Sequence, residues 1–93
     1  MLDYSKCPNQ SMVQGIKYFV EKGLMPGDFL TNLLSNNLKG TFYHADNTNS
    51  ALVREWTMWV YWEMPSNIIG SLEAMAAHCQ SFVEEINDDN RPA

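Results

Sequence analysis

Cysteine is scarce in this sequence: only Cys7 and Cys79 occur among 93 residues. Two thiols so far apart offer no disulfide framework, and reduced thiols are the expectation. Signals for export are missing as well. No basic stretch leads into an apolar run at the start, and the segment from Met1 to Lys6 is too polar for a signal peptide. Long hydrophobic runs are also absent. The longest, Trp56 to Trp62, is interrupted by Thr57 and falls far short of the roughly 20 residues of a membrane span. The expectation is a protein of the cytoplasm, with no membrane association.

A chain of 93 residues has room for one hydrophobic core and not two. Its composition, 45% hydrophobic and 18% charged with three Trp, four Tyr and four Phe, excludes a disordered polar chain. The net charge of −5 is unevenly placed. Residues 1–54 hold five Lys or Arg against four Asp or Glu, whereas 55–93 hold seven acids against Arg91. An acidic C-terminal half disfavours attraction to phosphate backbones, which depends on neutralisation by Lys and Arg.

Periodicity and punctuation together predict five helical segments. After Pro8 and Asn9, Met12, Ile16, Phe19 and Val20 recur at helical spacing until Gly23 supplies a stop. Gly15 within this stretch either admits a close backbone or weakens the helix by about 1 kcal/mol. Pro26-Gly27-Asp28 starts a second helix with Phe29, Leu30, Leu33 and Leu34 as its buried stripe. The Ser35-Asn36-Asn37 cluster ends or bends it into a short third segment bearing Leu38 and Phe42. Asp46 to Ser50 is a run of capping residues before a fourth, most apolar helix that ends near Met64 because Pro65 follows. Leu52, Trp56, Trp59, Val60 and Glu63 share one face of it. Gly70-Ser71 caps a fifth helix with Leu72, Met75, Cys79, Phe82 or Val83, and Ile86 at helical spacing. The predicted fold is all-α, a compact single-domain bundle of about four to five short helices. Residues 1–8 form an N-terminal segment, 9–86 the helical domain and 87–93 a flexible acidic tail.

The chemistry-bearing residues are few. His78 and Cys79 are neighbours on a helix and point about 100° apart, a poor arrangement for a shared metal, so Cys79 reads as an inert core thiol and His44 and His78 as surface residues. Neither cysteine has a glycine-rich oxyanion loop or an orienting third group beside it. The carboxylate pairs Glu84-Glu85 and Asp88-Asp89 read as a solvated face and tail. No catalytic residue, metal site or cofactor is predicted. Lys17, Lys22, Lys39 and Arg54 are scattered cations without the Arg, Asn and Gln pattern of a recognition helix. The tryptophans carry more information. Trp56, Trp59 and Trp62 advance by three, drifting about 60° per step around the helix, so they cannot share one narrow seam. Trp59 fits the core stripe. Met58, Tyr61 and Trp62 fall toward the other side, where either a large tryptophan caps a small core or an exposed aromatic and methionine patch marks a partner surface.

The order of motifs resembles a family of small proteins encoded by bacteriophages and prophages. It is carried by Gly15 to Gly23, Met25-Pro26-Gly27-Asp28-Phe29-Leu30, Leu34-Ser35-Asn36-Asn37-Leu38, Ala45-Asp46 with Asn49, and Tyr61 with Glu63 and Pro65, across about residues 12–83. The sequence departs from the family pattern where Asn37 stands for an Asp, Trp62 for an Asn, and Ile68-Ile69 for a frequent tryptophan. The resemblance implies an origin and a fold; it transfers no catalytic residue. Combined with the aromatic patch, it leads to the expectation of an accessory protein that binds a host protein, with a defence system of the CRISPR or restriction type as target. Met58, Tyr61 and Trp62 are the expected anchors, and Glu63, Glu73, Glu84 and Glu85 the acids that steer it to a basic surface. The alternatives are a small nucleic-acid-binding regulator using Lys17, Lys22, Lys39 and Arg54, and a homodimer whose tryptophans complete a core.

Overall fold

The computed structural model describes residues 2–89, with side chains as far as Glu84. It is 75% helical, with no strand among the described residues. Among the described residues six helices follow in order: α1 (Val13–Lys22), α2 (Asp28–Leu34), α3 (Leu38–His44), α4 (Asn47–Ala51), α5 (Val53–Glu63) and α6 (Leu72–Asp89). Short 3-10 turns at Tyr4–Lys6, Gln10–Met12 and Ser66–Ile68 link or precede them. No helix among the described residues is long and apolar enough to cross a membrane.

Local chemistry sets the helix ends. Gly23 takes the left-handed conformation (φ 67°), and its N–H and that of Leu24 donate to the carbonyls of Phe19 and Tyr18, closing α1. A side chain at Gly23 would run into the ring of Phe82, so the residue is required both by backbone and by space. Asn37 accepts from the Gly40 N–H at 3.0 Å to start α3, Asp46 accepts from Asn49 at 2.7 Å to start α4, and Ser71 accepts from Ala74 at 3.0 Å to start α6. Asn36 supplies the second left-handed turn (φ 67°) between α2 and α3. At Gly15 no foreign backbone approaches. An added methyl would lie in ordinary contact, 3.6 Å from Leu30, so this glycine is the weak point of α1.

The core draws on nearly every element: Cys7, Ile16 and Phe19, Phe29, Leu30 and Leu34, Trp56 and Trp59, Met64, Ile68 and Met75 are all buried. Trp56 is its centre, meeting Phe29 and Trp59 edge to face at centroid distances of 5.8 and 6.0 Å. Three details depart from the sequence reading. The single helix expected after Asp46 is broken at Leu52, which makes six helices out of five. Leu72 is exposed in the first turn of α6, so the stripe on that helix is Met75, Cys79 and Phe82. The last helix continues through Asp89, past Ile86, where the domain was expected to end; of the expected tail, residues 90–93 lie outside the described ones.

Residues 3–9 are strapped along α5 in the opposite direction. Asp3 lies at the C-terminal end of α5, where its N–H donates to Glu63 Oε1 (2.7 Å) and its carbonyl accepts from the Trp59 indole N–H (3.1 Å). Asn9 lies beyond the other end, donating to Asn49 Oδ1 at 3.0 Å. Tyr4, between them, donates its hydroxyl to Glu21 Oε2 (3.2 Å) beneath Lys17, whose Nζ is 5.1 Å from the ring centroid. Desolvation first, and then the Glu21 carboxylate, push the Tyr4 phenol from 10.0 up to about 12. Because folding raises this pKa, the part of the stability that depends on a neutral Tyr4 is complete below pH 10.0 and is lost as pH rises from there to about 12. Spectroscopic titration is expected to show one of the four tyrosines ionising last, with its step absent from Tyr4→Phe. A Tyr4→Phe protein with an unchanged titration curve would assign the late step elsewhere.

Candidate partner-binding surface

Helix α5 carries residues of two kinds on two sides. Its inner side buries Trp56 and Trp59, while Met58, Tyr61 and Trp62 are 46%, 74% and 71% exposed on the outer side. The cause is the rotation of 100° per residue, which sets Trp62 some 120° from Trp56. Tyr61 and Trp62 meet edge to face at 5.1 Å and form a rigid aromatic ridge on a regular helix.

Two hollows flank the ridge. On the Trp62 side, Met58, Trp59, Trp62, Glu55 and Glu63 form one wall and Lys6 and Pro8 of the strap the other, enclosing about 670 Å3. On the Tyr61 side a smaller, more apolar hollow of about 310 Å3 reaches Val60, Leu33, Leu38 and Ile69. Concave apolar ground beside a convex aromatic ridge is a surface with both halves of a protein contact, a knob and places to receive one.

Of the expected site residues, Met58, Tyr61, Trp62 and Glu63 come together on α5. Glu63 is half-buried and spends one carboxylate oxygen on the Asp3 N–H, so it holds the strap as well as facing the hollow. Glu73 and Glu84 sit on α6, eleven positions apart and hence on one face at roughly 16 Å. That helix rests on α1, α2 and the turn before it, so the two acids belong to a different part of the molecule from the ridge. The Glu85 side chain lies outside the described residues. Sequence reasoning missed Lys6, Pro8 and Glu55, and read Arg54 only as one of four scattered cations. The signal was present: Arg54, Met58 and Trp62 are spaced by four, a single row along α5.

The remaining reactive groups are engaged in the fold. Contrary to the expected surface position, His78 is partly buried between Phe19 and Phe82, with ring centroids 5.0 and 5.2 Å away. Its Nε2 lies 2.8 Å from the Phe19 carbonyl, an acceptor only, so the proton is on that nitrogen. Burial pushes the thiol pKa of both Cys7 and Cys79 up from its ordinary value. Among the described residues no three His, Cys, Asp or Glu side chains are grouped to hold a metal ion. Lys17, Lys22, Lys39 and Arg54 are distributed over α1, α3 and α5.

Fold and surface together define the class as an all-α single domain with an exposed aromatic ridge. Compared with known proteins, the chain matches no family model, no curated protein and no solved structure.

Proposed function

We propose that this chain is a phage-type accessory protein that acts by binding a host protein through the α5 ridge, with catalysis forming no part of its role. One observation carries the reading: two large aromatics, Tyr61 and Trp62, stand more than 70% exposed on a rigid helix in a chain with a well-filled core. Side chains of this kind lose little entropy on contact and dominate binding energies where they are buried by a partner. The non-catalytic part of the reading is supported by His78, committed to a backbone carbonyl, and by two thiols whose pKa burial pushes up, away from a nucleophilic thiolate. The motif order resembling phage proteins supplies the setting, a bacterial cytoplasm and a host defence protein as target.

Tagged wild-type protein, incubated with lysate of a bacterial host, is expected to retain a host protein in stoichiometric amount. The Tyr61→Ala, Trp62→Ala variant is expected to lose it while unfolding at nearly the same temperature, since both side chains lie outside the core. Loss of two anchors corresponds to a fall in affinity of about a hundredfold or more. Equal retention by the variant would remove the ridge as the binding surface.

A further inference from the structure

We infer that residues 3–9 form an autoinhibitory clasp, a strap that swings off α5 as one body while the helices stay folded, and so sets how much of the tryptophan row on α5 is open. As control of the α5 surface this rests on the reading above; the opening itself concerns the chain alone.

The strap satisfies much of its own backbone. Asp3 caps the turn Tyr4–Lys6, its carboxylate accepting from the Ser5 N–H (3.0 Å) and hydroxyl (2.6 Å). The N–H groups of Lys6 and Cys7 donate to the carbonyls of Asp3 and Tyr4. From the far end, the Gln10 side-chain amide donates to the carbonyls of Tyr4 (3.0 Å) and Cys7 (3.1 Å). These bonds lie within residues 3–10 and move with the strap, so opening does not require it to unfold. The turn Gln10–Met12, which leads into α1, is the pivot.

Its attachment to the helices is of another kind. The Asp3 N–H donates to Glu63, the Trp59 indole to the Asp3 carbonyl, the Tyr4 hydroxyl to Glu21 and the Asn9 amide to Asn49, each bond engaging a side chain. Cys7 is the one buried residue of the strap; Tyr4 and Pro8 are half-buried, and Ser5 and Lys6 are exposed. Lys6 and Pro8 face α5 across the hollow of about 670 Å3. A segment with little apolar burial, held by hydrogen bonds near solvent, belongs to the part of a fold that opens first. In the closed position the Trp59 indole N–H is spent on Asp3 and the ring is buried. With the strap away, Trp59 is uncovered beside Met58 and Trp62.

The three tryptophans report on this opening separately. Indole N–H exchange in the full chain, followed by NMR at low urea concentrations, is expected to be immediate at the exposed Trp62. Trp59 is expected to exchange at least about tenfold faster than Trp56, and almost independently of urea because strap opening exposes little surface. Exchange at Trp56, fully buried in the core, is expected to rise steeply with urea. Labelling of Cys7 by dithionitrobenzoate, located by mass spectrometry, is expected to share the weak urea dependence of Trp59. Glu63→Ala removes the acceptor for the Asp3 N–H and is expected to speed both Trp59 exchange and Cys7 labelling about tenfold or more. Leu34→Ala weakens the core at α2 and is expected to speed Trp56 exchange about thirtyfold or more while leaving Trp59 unchanged. None of these readouts involves a partner, so an empty lysate experiment and a failed clasp are told apart. One common urea dependence for Trp56, Trp59 and Cys7 overturns the inference, because the strap then parts only when the whole domain unfolds. So does Trp59 exchange that ignores Glu63→Ala, or that Leu34→Ala speeds as much as Trp56.

Discussion

Trp56→Ala is expected to lower unfolding free energy by about 3–5 kcal/mol, a large share of the roughly 5–15 kcal/mol that holds a small domain together. The side chain is fully buried, packs edge to face against Phe29 and Trp59, and donates its indole N–H to Asn49 at 3.1 Å. Truncation opens a cavity where α2 and α5 meet and leaves Asn49 short of a donor. The midpoint of thermal unfolding is expected to fall by on the order of 20 °C. Trp62→Ala provides the comparison. It removes an equally large ring from the same helix, but one that is 71% exposed, and is expected to change stability by no more than about 0.5 kcal/mol. Similar losses for the two variants, measured by urea unfolding, would contradict the division of α5 into a core side and a free side.

That division was legible in part, because helical rotation alone forces at least one of the three tryptophans toward the surface but does not say whether Trp62 then caps the core or stands free. Three tryptophans spaced by three cannot all face inward, and Trp62 is the one left outside. The helix ends were legible for a similar reason. Gly23, Asn37, Asp46 and Ser71 act on backbone groups within a few residues of themselves, so each needs only its neighbours to be understood.

What the sequence hid depends on contacts between distant residues. Glu63 and Asp3 are sixty positions apart, and nothing local marks either as half of a hydrogen bond. His78 reads as a surface residue beside a core cysteine until α1 lies across α6 and presents the Phe19 carbonyl. Arg54 belongs to a row with Met58 and Trp62 only once the strap is seen to wall off a hollow beside them. Composition showed a surplus of aromatics; it did not show that a hollow lies beside the exposed ones on α5.

The break at Leu52 has the same origin and leads to the second large effect. Asn49 reads as one capping residue among several, yet its side chain is turned into the core, 4% exposed, where Oδ1 accepts from both Trp56 Nε1 and Asn9 Nδ2. Here α4 ends in a tighter turn, the Leu52 N–H donating to the Asn49 carbonyl at 3.1 Å, and α5 starts afresh. Asn49→Ala is expected to cost about 2–3 kcal/mol, most of it from an indole N–H left buried without an acceptor. It also frees the near end of the strap, so amide exchange at residues 3–9 is expected to accelerate more than exchange in α2. A double-mutant cycle isolates the cause. In a Trp56→Phe background the indole donor is already gone, and Asn49→Ala is then expected to cost about 1.5–2 kcal/mol less than in the wild type. Strictly additive losses would mean that Asn49 acts on the turn between α4 and α5 and not through Trp56, and the joint between these helices would then be a local feature of the chain.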